Sequence, residues 1–169
     1  MDAAELRAMQ APIKERYRND PTAGLVTLKA RGSLDDGNVA CKVETGRALA
    51  VAGLHPATGG SGLELCSGDM LLEALVACAG VTLKAVSTAL EIPLRGARVS
   101  AEGDLDFRGT LGVDKEAPVG FAEIRLRFDV DTDAAQDKLD QLLKLTERYC
   151  VVYQTIRNGP KVDVTLART

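Results

Sequence analysis

Four cysteines, one histidine and one aspartate at a helix start are the side chains of this sequence whose types could do covalent chemistry: Cys41, Cys66, Cys78, Cys150, His55 and Asp69. The cysteines are spaced by 25, 12 and 72 residues, with no Cys-x-x-Cys pair. A structural zinc site needs clustered Cys and His ligands, usually four, and His55 is the sole histidine. In a secreted miniprotein four cysteines would suggest a disulfide framework, whereas a cytosol keeps them as thiols. The chemistry to look for is therefore that of a cysteine held as thiolate, which attacks an electrophile or is reversibly oxidised.

Cys78 sits inside Ala74-Leu75-Val76-Ala77-Cys78-Ala79-Gly80. On spacing alone it reads as a small hydrophobe, because free cysteine is among the most buried residue types. A working Cys78 would need an arginine or lysine brought to it by the fold, since a buried apolar site disfavours the anion. Cys150, in Glu147-Arg148-Tyr149-Cys150-Val151, stands at a helix start or junction, where exposed backbone N–H groups favour a thiolate. It reads equally as a thiol buried between Tyr149 and Val151. Cys41 alternates with Val39 and Val43 and reads as packing; Cys66 reads as packing, a surface thiol or a third participant. His55, beside Pro56, could serve a cysteine nucleophile as base, but it has no orienting partner in sequence and reads as a surface histidine. Gly59-Gly60-Ser61-Gly62 lacks the Gly-Lys-Ser/Thr ending of a phosphate loop and reads as a flexible loop.

The elements that must position these residues follow from periodicity. Residues 3–18 form a polar helix stopped by Asn19-Asp20-Pro21. Leu25 to Ala30 and Val39 to Glu44 are strand-like, split by Asp36-Gly37. Residues 54–68 are Gly-rich and irregular. Residues 69–91 form a helix capped by Ser67 or Asp69 and closed by Pro93; it is apolar almost all round and belongs in the middle of the fold. Arg98 to Arg108 and Glu123 to Val130 alternate like half-buried strands, with Gly109 to Gly120 as their hairpin loop. Asp131-Thr132-Asp133 caps a second helix carrying Leu139, Leu142, Leu143 and Leu145. That helix breaks near Thr146 to Cys150, resumes to Ile156 and stops at Asn158-Gly159-Pro160. Val162, Val164 and Leu166 make a last strand. This order gives an α+β plan, a curved antiparallel sheet packed on two helices.

The totals set bounds on function. At 169 residues, 46% hydrophobic and 27% charged, the chain has the composition of a globular domain. A net charge of -3 without a dense Lys/Arg run offers nothing to nucleic acid or to an anionic membrane. The longest apolar stretch, Met70 to Val81, contains Glu73 and is too short to span a bilayer. Met1 to Tyr17 is charged throughout, unlike a signal peptide, and a cytoplasmic location is expected.

Taken together, two stretches resemble the OsmC/Ohr family of organic hydroperoxide resistance proteins: Ala57-Thr58-Gly59-Gly60 through Asp69 to Cys78, and Glu147-Arg148-Tyr149-Cys150. The resemblance covers residues 24–166 of a single domain, with residues 1–20 as a helical extension. It implies curved antiparallel sheets around two central helices and an intertwined homodimer with active sites at the subunit interface. It implies a peroxidatic Cys78, a resolving Cys150, a small-molecule hydroperoxide substrate, an external dithiol reductant, and no cofactor or metal. Relatives carry a Pro-Glu pair before the helix, the Glu holding an arginine against the sulfur. Ser67-Gly68 stands there, so Asp69 is expected to take the carboxylate role, and Arg31 and Arg47 lie in the right part of the chain for the cation. The family often has proline after the second cysteine, where Val151 stands. Two other functions fit the residues: a non-enzymatic member that binds an apolar ligand or senses oxidants, and a hydrolase or acyltransferase using Cys78 with His55.

Overall fold

A computed structural model describes residues 2–20, 31–34, 40–44 and 49–168, with the backbone alone between 31 and 49. The chain opens on α1, Ala3–Asn19. Asp2 and Glu5 cap it reciprocally: each carboxylate accepts the other's backbone N–H at 2.8 Å. Leu6 is buried where α1 meets the central helix.

Three short strands follow, β1 (Arg31–Leu34), β2 (Ala40–Glu44) and β3 (Leu49–Gly53), paired antiparallel in order. Cys41 lies in β2 opposite Leu34 and Ala52, on the expected strand. The expected strand Leu25 to Ala30 and the turn Asp36-Gly37 lie outside the described residues. A two-residue strand, β4 (Leu65–Cys66), pairs with β3 in parallel, so the sheet is not purely antiparallel as expected.

The Gly-rich segment opens on a defined turn. His55 caps a 3-10 turn at Pro56–Thr58, its Nδ1 accepting from Ala57 N–H at 3.0 Å, and Gly59 closes the turn at φ 90. Gly60 donates to the His55 carbonyl at 3.1 Å, and a Cβ there would stand 1.7 Å from the Leu54 carbonyl oxygen. Only glycine fits that approach.

The central helix, α2, spans Ser67–Ala89, with Cys66 rather than Ser67 or Asp69 at its N-cap. Its length and composition would suffice to cross a membrane, yet α1, α4, α5 and β5 pack on it as on a core helix. Leu75, Ala79, Leu83 and Val86 are buried. Burial is one-sided, however: Ala74, Ala77 and Val81 share the opposite face and stay exposed, Val81 at 73%, and Leu71 at the helix start is exposed as well. The expected burial all round is not met within one chain.

Strands β5 (Gly96–Leu105) and β6 (Phe121–Asp131) pair antiparallel along their whole length. Val99 and Ala101 on β5, and Ile124, Leu126 and Phe128 on β6, turn to the core. Arg125 with Asp104 (2.8 Å) and Arg127 with Asp129 (2.7 Å) line the wet face. Strand β5 ends earlier than its alternation suggests. Asp106 accepts the Arg108 N–H at 3.0 Å and caps a single helical turn, α3 (Phe107–Thr110).

Helix α4 (Gln136–Tyr149) is not capped by Asp131-Thr132-Asp133; Ala135 is its N-cap. Both aspartates bind Arg95, and the Thr132 hydroxyl donates to the Pro93 carbonyl at 2.6 Å, so these side chains tie the end of β6 to the α2–β5 link. The expected break falls at Cys150, whose extended backbone (φ -74, ψ 107) separates α4 from α5, Val151–Asn158. After Gly159 (φ 49) the expected last strand is not formed: Val162, Val164 and Leu166 are exposed, Leu166 fully. A strand exists only through hydrogen bonds to another strand, and among the described residues none is paired with this segment.

Candidate active site

The α4–α5 break delivers Cys150 into the core, where it is 1% exposed and packs with Leu75 and Ala79 of α2. Cys78, one turn from Leu75, borders the same cluster beside Val152 and Tyr153 of α5. The helix–helix contact thus closes the 72-residue gap in sequence, and the two thiols stand in one cluster, near enough for each to shift the other's acidity. Both are free cysteines, as is Cys66.

The two sulfurs stand in different fields. Burial pushes the Cys78 thiol up, but backbone N–H of Val152, the Cys150 thiol and backbone N–H of Val151 outweigh it and hold Cys78 below its ordinary value. The Thr82 hydroxyl adds the smallest share. Its single proton goes to the Cys78 carbonyl at 2.8 Å, which leaves the main-chain donors as the principal support of the sulfur. Burial also pushes Cys150 up, and there it prevails over the Tyr153 N–H, helped by the Cys78 sulfur whose negative charge opposes a second one. The N–H groups expected to serve Cys150 are shared between the two sulfurs: those of Val151 and Val152 act on Cys78, those of Tyr153 and Val152 on Cys150. Among the described residues, no cation acts on the Cys78 sulfur.

The other sequence candidates lie elsewhere. Asp69 precedes Cys78 by nine residues of α2, which sets them about 13 Å apart along the axis and on opposite faces. It borders a cavity of about 350 Å³ with His55, Cys66, Gly68, Asp104 and Phe107. His55 stacks on Phe107 there, ring centroids 4.8 Å apart. The Cys78 and His55 pair is not assembled; the imidazole shares its cavity with Cys66. Arg31 is a β1 residue described by its backbone, and Arg47 lies outside the described residues. No group of three or more His, Cys, Asp or Glu suited to a metal occurs among the described residues.

The sequence offered no direct sign of Thr82 or Val152. The N–H donors were foreseeable from an uncapped helix start after Cys150, but not their target.

A family model described as OsmC-like protein matches residues 60–165, which include Cys66, Asp69, Cys78 and Cys150. No protein of curated function matches the chain. Solved structures of the same fold include an OsmC-like protein from Mycoplasma pneumoniae, with TM-score 0.65 and 14% identity over 79% of this chain and 89% of that one. An organic hydroperoxide resistance protein OsmC from Legionella pneumophila has TM-score 0.62 and 18% identity over 80% and 93%. One from Elizabethkingia anophelis has TM-score 0.62 and 16% identity over 80% and 91%.

Proposed function

The chain belongs to the OsmC-like protein family, and from that membership we propose that it is a thiol-dependent reductase of organic hydroperoxides in which Cys78 is peroxidatic and Cys150 resolving. The observation that carries the reading is the packed Cys78–Cys150 pair with its opposite displacements in acidity. One buried thiol is poised as thiolate while its neighbour stays protonated, the division of labour a two-cysteine peroxidase requires.

The steps follow. The Cys78 thiolate attacks the distal oxygen of ROOH; the O–O bond breaks, and the alkoxide takes a proton and leaves as ROH. Cys78 is oxidised to a sulfenic acid. The sulfur of Cys150 then attacks the Cys78 sulfur and water leaves, giving a disulfide. An external dithiol restores both thiols by exchange and leaves as its own disulfide. The apolar stripe of α2 beside Cys78 suits a substrate with an organic R group.

The same stripe and the unpaired tail support a homodimer, with residues 24–166 as the core of each subunit, α1 as an extension and a reducing cytoplasm as the setting. Asp69, on the far face of α2, can serve the thiol only from a second subunit, so its part in the reaction belongs to that dimer.

The test is to treat the reduced protein with cumene hydroperoxide and map its bonds by mass spectrometry. A Cys78–Cys150 disulfide within seconds, turnover with a dithiol, loss of turnover in Cys78→Ser and over-oxidised Cys78 in Cys150→Ser are expected. A Cys78 that reacts no faster than an ordinary thiol would sink the reading.

A further inference from the structure

We propose that the backbone N–H groups of Val151 and Val152 are the activating donors for Cys78, the first turn of α5 doing for the sulfur what a side-chain cation would do. The inference deepens the peroxidase reading and rests on it for its catalytic meaning.

The geometry is that of a helix start capped by a foreign side chain. Cys150 N–H closes α4 on the Thr146 carbonyl at 3.0 Å, and Gln154 N–H opens α5 on the Cys150 carbonyl at 2.9 Å. Between those bonds the N–H groups of residues 151–153 have no intrahelical acceptor. The N-cap, Cys150, makes no side-chain cap bond. The α2 face that carries Cys78 packs against that end, in one cluster with Cys150, Val152 and Tyr153. N–H groups without an intrahelical acceptor thus meet a sulfur that no cation among the described residues reaches, and a thiolate there satisfies them.

Among the described residues, few other charges face the sulfur. From α5 come Cys150 and Tyr153, whose hydroxyl accepts from Arg157 at 2.9 Å. From β5 and β6 come Val99, Ala101, Ile124, Leu126 and Phe128, all apolar. On α2 itself, Glu73 and Lys84 are exposed. On α4, Arg148 lies over the Tyr149 ring, 5.7 Å from its centroid.

Val151 permits a clean test because it is the first residue of α5. Proline is favoured at that position, its fixed φ suits the helix, and the extended Cys150 backbone suits a residue preceding proline. Val151→Pro therefore deletes one donor and little else, while Val151→Ala keeps it. Both act as positioning variants, read by the pH profile of Cys78. The measurement is iodoacetamide alkylation of the reduced full-length protein against pH, resolved by peptide mass at Cys78, with far-UV circular dichroism to confirm the fold.

Val151→Pro is expected to raise the Cys78 midpoint by about one pH unit and slow its alkylation at neutral pH about tenfold. Val151→Ala should stay within about twofold of the parent. If the proline variant does not fold, an ester in place of the Cys150–Val151 amide removes the same N–H and should give the same shift. A folded proline or ester variant with the parental Cys78 midpoint overturns the inference, whatever the peroxide assay gives. A parent that alkylates early at Cys78, shifts in Val151→Pro and yet leaves cumene hydroperoxide intact overturns the peroxidase reading and supports the donors.

Discussion

Cys78 and Cys150 pack in one cluster but are driven apart in acidity: the first is held below its ordinary value by the main-chain donors of α5, the second pushed above it by burial and by its neighbour's charge. The pair titrates as a unit, so the two steps belong to the dithiol, and the lower is expressed mainly at Cys78.

Reactivity with iodoacetamide should therefore appear first at Cys78 as pH rises and only later at Cys150. A depressed pKa puts more thiolate at any given pH below the ordinary thiol range; a raised one withholds it. Cys150→Ser replaces the thiol that donates to Cys78, and the Cys78 step should move upward unless the serine hydroxyl takes over that bond. Peptide-resolved alkylation profiles check the order, and simultaneous modification would contradict it.

The same displacements set the alkaline stability. The raised Cys150 contributes stability that is full below the unfolded thiol value and is lost as pH rises through its folded value. The depressed Cys78 has the opposite sign, its contribution present above the unfolded value and lost as pH falls through the folded one. Cys150→Ser should then lose less stability than the parent on moving from neutral to alkaline pH, as followed by urea denaturation at each pH.

Leu75 is 2% exposed and forms the floor shared by Ala79 and Cys150. Leu75→Ala should cost about 3 kcal/mol by leaving a cavity in a close-packed contact. The space lies against Cys150, so disulfide formation after a peroxide pulse should slow as well. Chemical denaturation gives the first effect and quenched-flow mass mapping the second.

Gly60→Ala should destabilise the chain although the residue lies in a loop, because its Cβ would collide with the Leu54 backbone. Gly59→Ala meets no atom within 4 Å and suffers only from its φ of 90. The Gly60 variant should melt lower than the Gly59 variant, and the reverse order would mean that the turn relaxes freely.

Val81 is 73% exposed on an apolar stripe that a single chain leaves open. For the proposed homodimer, Val81→Asp should shift sedimentation from twice the 17.9 kDa chain mass to the single mass. An unchanged dimer would move the interface elsewhere.

Much of this arrangement was written in residue order. Alternation of Val99, Ala101 and Leu105 with acids, and of Ile124, Leu126 and Phe128 with charges, determined β5 and β6, because a sheet with one wet face needs a period of two. The apolar run around Cys78 determined a central helix, and the break before Val151 determined that Cys150 sits at a junction. Local sterics and hydrophobic periodicity decide such features, and both act between near neighbours.

Tertiary structure alone decided which groups meet. Sequence assigned the junction's donors to Cys150 alone, but the crossing of α2 and α5 brings those of Val151 and Val152 to Cys78 as well. The family resemblance gave Asp69 a part at the reactive thiol, and nine residues of rigid helix set the two on opposite faces of one α2. Val162, Val164 and Leu166 carry a strand's alternation without a partner strand among the described residues. Contact, field and hydrogen-bond partner depend on packing between elements far apart in the chain, and no spacing in one element records them.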